Sequence, residues 1–415
     1  MKFIGYCALL LLFASCSETL EYNPERNFSD QQKSILTSFI LAKDSSTIDL
    51  PEGHFKFDKS LILEGRIHVT IKGQGKDKTI LSFKDQSQGA EGIRVANCEN
   101  ITLRDFTIED AAGDNIKVTD TEGILLEDLI IGWTGKVDST NGAYGLYPVL
   151  CKNVTIRSCT VFGASDAGIY VGQSDTVLIE NNTTYWNVAG IESENSKEVI
   201  IRNNTSYENT GGILVFDLPG LTQYGRNIDV YNNNVYENNT PNFAPPGNMV
   251  GVTPPGTGIL VLATTGVQIH DNIIRNNKTI GVGMVSYALL EAMGGEENTG
   301  GGGSREELER QNELDINYDP FVGDIKVYNN TYENTYLLPY LGNDFGKLFL
   351  LKFGTNLPHV AWDGLQSPNY FLADGSINPN YAICVQEAEG IKSVNLDAAN
   401  EFEGLEENPA IFNCN

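Results

Sequence analysis

The feature that most limits what this chain can fold into is an internal repeat. Gly168-Ile169-Tyr170-Val171 is followed by Gly190-Ile191-Glu192-Ser193 and Gly212-Ile213-Leu214-Val215, so the glycines fall 22 residues apart twice in succession. A second run keeps the same offset within each unit: Val177-Leu178-Ile179-Glu180-Asn181-Asn182, then Val199-Ile200-Ile201-Arg202-Asn203-Asn204. A fixed period of this length means a solenoid, each repeat being one turn of a stack. Within each run the alternation has period two, which belongs to strands and not helices. Two or three brief strands with no helix per repeat predict an all-β chain, a parallel β-helix of about ten rungs. Asn182, Asn204, Asn233, Asn272 and Asn330 share one offset. Stacked in register, their amides can bond from rung to rung and satisfy the backbone at a tight turn.

Regular rungs are expected from Gly92-Ile93-Arg94-Val95 through Ile116, Leu146, Ile169, Ile191, Ile213, Ile259 and Val282. Residues 29–43 read as a helix that closes the open N-terminal end, with Ser29 and Gln32 as a capping box and Ile35, Leu36, Phe39 and Ile40 as its apolar face. The division follows: 1–15 a signal peptide, 16–28 a tether, 29–348 the β-helix with its cap helix and insertions, and 349–415 the last rungs and a C-terminal cap. Gly73-Gln74-Gly75-Lys76 is a turn between strands, since it lacks the spacing of a phosphate loop and no helix pattern follows it. Insertions at 132–145 and 238–258 leave from one corner, those at 218–226 and 286–323 from another. The last contains four consecutive glycines, Gly300 to Gly303. The 238–258 insertion is instead restricted by prolines and carries Phe243; ordered insertions on a rigid scaffold are where function tends to sit.

The N-terminus is a targeting segment. Lys2 precedes an apolar run ending in Phe13-Ala14-Ser15-Cys16, which is similar to a bacterial lipobox with Cys16 as the lipidated residue. The expected location is the bacterial cell envelope, anchored by lipid to the outer membrane. That compartment permits a disulfide between Cys384 and Cys414, the two cysteines of the non-repetitive tail. Cys98 and Cys151 share a column two rungs apart, roughly 9–10 Å, too far for a bond. Cys159 falls in the inward asparagine column.

Charge limits the ligands. With 28 basic and 54 acidic residues, the net charge of −26 excludes nucleic-acid phosphates and repels anionic polysaccharides. The four histidines are far apart in sequence, so no zinc cluster is expected. Asp and Glu oxygens in so acidic a chain could hold calcium, although no EF-hand-type loop occurs.

The chain resembles the bacterial exported right-handed parallel β-helix repeat proteins, relatives of the carbohydrate-binding, sugar-hydrolase and pectate-lyase-like β-helix class. The resemblance rests on Gly142-Ala143-Tyr144-Gly145-Leu146-Tyr147-Pro148-Val149, on Ser165-Asp166-Ala167-Gly168-Ile169-Tyr170-Val171-Gly172 and on Gly211-Gly212-Ile213-Leu214-Val215-Phe216-Asp217. It extends to Asn242-Phe243-Ala244-Pro245 and covers roughly residues 45–345. It implies a right-handed helix, an envelope location and a c-type cytochrome as a neighbour or partner. No catalytic signature of pectate lyases, polygalacturonases or mannuronan epimerases is present, and fold alone does not transfer activity.

Alternation assigns directions. Outward along the stack run Arg94, Lys117, Tyr147, Tyr170, Glu192, Leu214 and Leu260, with Ala96, Thr119, Val149, Gly172, Glu194, Phe216 and Leu262 beside them. The face passes from basic, through tyrosines and two glutamates, to large apolar residues. Those apolar residues need a cover, expected from the 218–226 or 286–290 insertion. Lys117 with Tyr147 or Tyr170 could neutralise and deprotonate a uronate in a lyase or epimerase; Glu192 and Glu194 could serve as the two carboxyls of a hydrolase. Tyr144, Asp166, Asp217 and Phe243 are the candidate substrate contacts, although Asp166 and Asp217 could equally form Asx turns. Three functional readings follow: polysaccharide processing, non-catalytic glycan binding or scaffolding, and an accessory role to a redox partner.

Overall fold

The computed structural model describes residues 27–292, 315–412 and 414. The signal segment, Cys16, most of the tether and the tetraglycine run lie outside the described residues.

The chain winds into a parallel coil with two long sheets. One face is built from Lys59–Glu64, Gln88–Ala96, Ile116–Thr119, Tyr144–Val149, Ala167–Gly172, Ala189–Glu194, Gly211–Phe216, Thr257–Leu262, Ile280–Val285, Val360–Trp362 and Ser393–Asn395, all parallel; Glu406–Glu407 closes it antiparallel. That makes eleven parallel strands on this face, close to the number expected from the period. Apart from a register shift between Lys59 and Leu61 in the first pair, the pairing stays in register: Ile93 on Ile116, then Leu146, Ile169, Ile191, Ile213, Ile259 and Val282. Every member of that column is fully buried. Such a column of β-branched and leucine side chains is what the inward half of a period-two pattern supplies when both sheets enclose one core.

Two amide ladders hold the turns. Asn182 donates its backbone N–H (2.9 Å) and Nδ2 (3.0 Å) to Asn204 Oδ1, and the pattern repeats through Asn233, Asn272 and Asn330. Cys159 continues the same column by donating its N–H to Asn182 Oδ1. A second ladder runs along another corner: Asn187, Asn209, Asn238 and Asn277, again with Nδ2 to Oδ1 distances of 3.0–3.1 Å. Its Asn238 fixes the point where the 238–258 insertion leaves the coil. Cys98 and Cys151 occupy a third corner, each donating its backbone N–H to a hydroxyl oxygen, Thr121 Oγ1 and Ser174 Oγ respectively. Both thiols are buried and unbridged.

The N-terminal helix, α1 (Gln32–Ile40), is shorter than residues 29–43. Ser29 does not cap it. Instead Ser29 bridges Phe55 in the sheet, and Gln32 clasps Asp58 with its amide in both directions, donating at 2.6 Å and accepting at 2.8 Å. Ile35 and Phe39 are buried over the first coils, but Ile40 is 69% exposed and lies off the packed face. At the other end the expected boundary at 348 falls within α3 (Asp344–Phe353), α2 being the short helix Tyr287–Ala292 that follows Ile280–Val285. Both sheets continue beyond α3 in Val360–Trp362 and Ile383–Gln386, and Cys384 is disulfide-bonded to Cys414. No helix among the described residues is long and apolar enough to cross a membrane.

Candidate functional site

The outward columns stand where alternation places them. Lys117 pairs with Tyr147, Tyr170 with Glu192, Glu192 with Leu214 and Glu194 with Phe216 in adjacent strands. Rings of one strand and of the next rung then meet. Tyr144 stacks on Tyr147 at 4.3 Å between centroids, and Tyr170 lies 4.7 Å from Tyr144 and 4.9 Å from Tyr147. Gly172 makes room for this: a β-carbon there would collide with the Tyr170 hydroxyl.

Beneath and beside this trio sit three carboxyls. Tyr170 Oη donates to Glu194 Oε1 at 2.7 Å. Glu192 is 2% exposed, and its Oε2 has no hydrogen-bond partner. Asp166, at the corner preceding Ala167–Gly172, is also buried and accepts from Asn248 Nδ2 at 3.0 Å. Burial, followed by the charge of Asp166 and then of Glu194, pushes the Glu192 carboxyl well above its ordinary range. Burial and then Glu194 raise Asp166, against the opposing hydrogen bonds from Tyr144 and Asn248. Glu194 is raised by burial and pulled back by Tyr170. Three like charges in one desolvated place cannot all ionise, so near neutrality the cluster holds at least one proton. The phenols move the other way from a base: burial drives Tyr144 and Tyr170 well above 10 and Tyr147 to about 12, leaving them as hydrogen-bond donors.

Lys117 is not available to a ligand anion. Its Nζ lies 3.6 Å from Asp114 and 4.0 Å from Glu91, and 4.8 Å above the Tyr147 ring. Asp114 itself is pushed up to about 6, by burial first, with Lys117 opposing. The pairing expected of a uronate-processing centre, Lys117 to neutralise the carboxylate with Tyr147 or Tyr170 as the base, here consists of a lysine in an internal ion pair and phenols whose burial holds their protons. Asp217 takes a different role from the substrate contact proposed for it. Both its oxygens accept the Gly225 N–H, at 2.7 and 2.9 Å, so it pins the 218–225 loop.

The 238–258 insertion forms part of the cover of the face. Asn242 ties the loop to itself, donating to the carbonyls of Val250 (2.9 Å) and Thr253 (3.0 Å). Phe243, Ala244, Met249 and Val250 pack over Leu214, Phe216, Leu260 and Leu262, which are buried. Leu218, Tyr287 of α2 and Tyr318 belong to the same cluster, so the expected insertions contribute to the cover together with the proline-bounded loop. Phe243 is thus an anchor of the lid. Asn248, which joins the lid to Asp166, was missed by the sequence reading because nothing in its local pattern distinguishes it from other turn asparagines. Among the described residues no three His, Cys, Asp or Glu side chains come together as a metal-holding group.

A model of the right-handed β-helix region matches residues 91–223 and 141–292. No curated protein matches the chain in sequence. Among solved structures it is similar to the A-module of mannuronan C-5 epimerase AlgE6 from Azotobacter vinelandii, with 16% identity, 89% of this chain and 92% of that one covered, and a TM-score of 0.51. The AlgE4 A-module from the same organism gives 14% identity, 81% and 91% coverage and 0.46. An exopolygalacturonase from Thermotoga maritima gives 12%, 68% and 70%, and 0.44. The in-register stack and its two amide ladders give the chain a right-handed parallel β-helix fold, and residues 91–292 are similar to the right-handed β-helix family.

Proposed function

We propose that the protein acts on a polysaccharide and that its chemistry is glycosidic-bond hydrolysis by the carboxyls of Glu192, Glu194 and Asp166. The observation that carries this reading is the convergence of two buried carboxyls, Asp166 and Glu192, and the half-buried Glu194 with three tyrosines under an ordered lid. Neighbouring carboxyls whose environments push their proton affinities apart are what acid–base cleavage needs. Glu192, whose carboxyl burial raises well above its ordinary range, keeps its proton and donates it to the departing glycosidic oxygen. Glu194, held by the Tyr170 hydroxyl, stays ionised more readily and either activates the incoming water or attacks the sugar carbon. The water's hydroxyl ends on the sugar, its proton on the carboxyl pair. Lyase or epimerase chemistry is less well served: Lys117 is occupied by carboxylates, and a uronate would meet further negative charge. The A-modules whose fold is shared are named for mannuronan C-5 epimerisation, so that outcome belongs in the test.

The purified protein is incubated with a panel of neutral and uronic-acid polysaccharides. New reducing ends, lost in Glu192→Gln and Glu194→Gln, are expected. Unsaturated uronate would instead indicate a lyase, changed stereochemistry by NMR an epimerase. Retention on a polysaccharide with no turnover would leave glycan binding alone, a reading favoured by the near-complete burial of Glu192 beneath the lid.

We infer further, from Phe13-Ala14-Ser15-Cys16, that the protein works in the cell envelope, lipid-anchored at Cys16. Cys16→Ala is expected to release it from the membrane fraction; unchanged partitioning would overturn the anchor.

A further inference from the structure

At the corner of the second amide ladder, each one residue before a ladder asparagine, Trp186, Glu208, Glu237 and Asn276 occupy equivalent positions of successive turns. All four have left-handed backbone, with φ of 57°, 52°, 54° and 52°. Short polar residues tolerate that conformation; a bulky aromatic there is an outlier. Strained side chains persist where something besides stability keeps them. The indole is also held in place. Its Nε1–H donates to Glu208 Oε2 at 2.8 Å, and its ring meets the edge of Tyr185 at 5.0 Å between centroids and 80°. It remains half-buried, and beside it opens a polar groove of about 580 Å³, lined also by Glu237, Asn239, Lys278 and Tyr336. Asn239 belongs to the root of the lid, and its Oδ1 accepts the Lys278 N–H at 2.8 Å.

We propose that this groove is a second saccharide-binding site, taking a neutral oligosaccharide whose apolar ring face packs on Trp186 and whose hydroxyls bond Glu208, Glu237 and Asn239. A sugar offers an apolar C–H face for an aromatic ring and paired O–H donors for carboxylates, and the groove offers both partners. One cation against two carboxylates disfavours a uronate here. The ligand class is shared with the hydrolytic reading, but the site is separate and does not depend on it.

The chain contains three tryptophans, and Trp133 and Trp362 are buried at 5% and 1% exposure. Acrylamide quenching therefore reports chiefly on Trp186. The probes are hexasaccharides of β-glucan, xylan, mannan and galactan, with oligogalacturonate and chitosan oligomers as charged comparisons. The expected result is saturable protection of fluorescence by at least one neutral hexasaccharide, matched by calorimetric binding. Trp186→Asn, which suits a left-handed corner, is expected to weaken that binding about tenfold or more, the loss of one aromatic contact of this kind. Exposed Glu237→Gln should weaken it less, and Glu192→Gln should leave it unchanged. The proposal is overturned if no neutral hexasaccharide protects Trp186, if affinity survives Trp186→Asn, or if only a charged oligomer binds. Protection without turnover of any polysaccharide rejects hydrolysis and leaves the groove standing; turnover without protection does the reverse.

Discussion

Glu192 illustrates how a residue can be costly to the fold and useful to it. An ionised carboxylate buried without a partner is expensive, so the group keeps its proton instead. Folded-state pKa values raised above the unfolded ones mean that the folded state binds the proton more tightly. The stability this supplies is fully present below about pH 4, where the unfolded carboxyls titrate, and is lost as pH rises through the folded values. Asp166, Glu192 and Glu194 contribute with that sign, as do Asp114 and Asp363, both raised to about 6. The unfolding temperature is thus expected to fall between pH 5 and pH 8, each group contributing at most ~1.4 kcal/mol per pH unit while only one state titrates. Glu192→Gln removes one such group. The variant should match or exceed the parent's stability at pH 8 and lose that advantage at pH 5; parallel melting curves across the range would sink the assignment. Tyr170→Phe tests the neighbouring bond. Without its donor Glu194 should hold its proton to higher pH, so the pH limb of turnover that requires ionised Glu194 should move upward and the rate near neutrality should drop about tenfold, ~1.4 kcal/mol.

The coil is organised by columns, and the columns differ in how plainly the sequence announces them. The first asparagine ladder was legible because it sits at the end of a conspicuous apolar run with a constant offset. The second, Asn187 to Asn277, is bonded just as closely but lies in the short segment before the Gly-Ile strands, where other turn asparagines mask it. The outward face of the second sheet carries another column: Arg104, Glu127, Arg157, Glu180 and Arg202 in adjacent registers, then Tyr231, His270 and Tyr328. Glu127 is paired to both Arg104 and Arg157, Arg202 to Glu180, and the His270 ring stacks between two tyrosines at 5.0 and 4.7 Å. Because a slip by one residue would turn every side chain over, these columns and the ladders define a single register. Asn233→Ala breaks the first ladder in its middle, removing acceptors for the N–H and Nδ2 of Asn204 and donors to Ile201 and Asn272. Buried partners left unsatisfied should cost about 2–4 kcal/mol. Its neighbour Asn232, exposed and at φ 55°, is the control, and Asn232→Ala should cost much less. Chemical denaturation of both variants gives the comparison; equal losses would mean that the ladder contributes little beyond local turn geometry.

The fold of the molecule was readable from the repeat because a period-22 pattern with period-two alternation has few ways to bury its apolar half. The site was readable only in part. Direction along a strand follows from alternation, so Tyr147, Tyr170, Glu192 and Glu194 could be placed together. What happens across the face depends on contacts distant in sequence: Lys117 turned to Asp114 and Glu91, and Asn248 reached Asp166 from 82 residues away. The same distinction governs the ends. A solenoid is held by nearest-neighbour interfaces, and its terminal turns must be closed by something the repeat does not encode. At the N-terminus α1 does this with Ile35 and Phe39. At the C-terminus the Cys384–Cys414 bond closes a segment of 30 residues that also packs Phe412 against Trp362, at 6.1 Å between ring centroids. Loop-closure arithmetic gives such a bridge ~3–4 kcal/mol. Reduction should therefore lower the unfolding temperature by loosening the last turns first, and leave the central turns that carry Glu192 and Trp186 protected. Hydrogen exchange with and without reductant reads this directly. Faster exchange confined to residues after about 355 is the expected pattern for a chain whose turns are stabilised locally. Acceleration spread evenly from 93 to 395 would mean that the coil unfolds as one unit and that the bridge stabilises all of it.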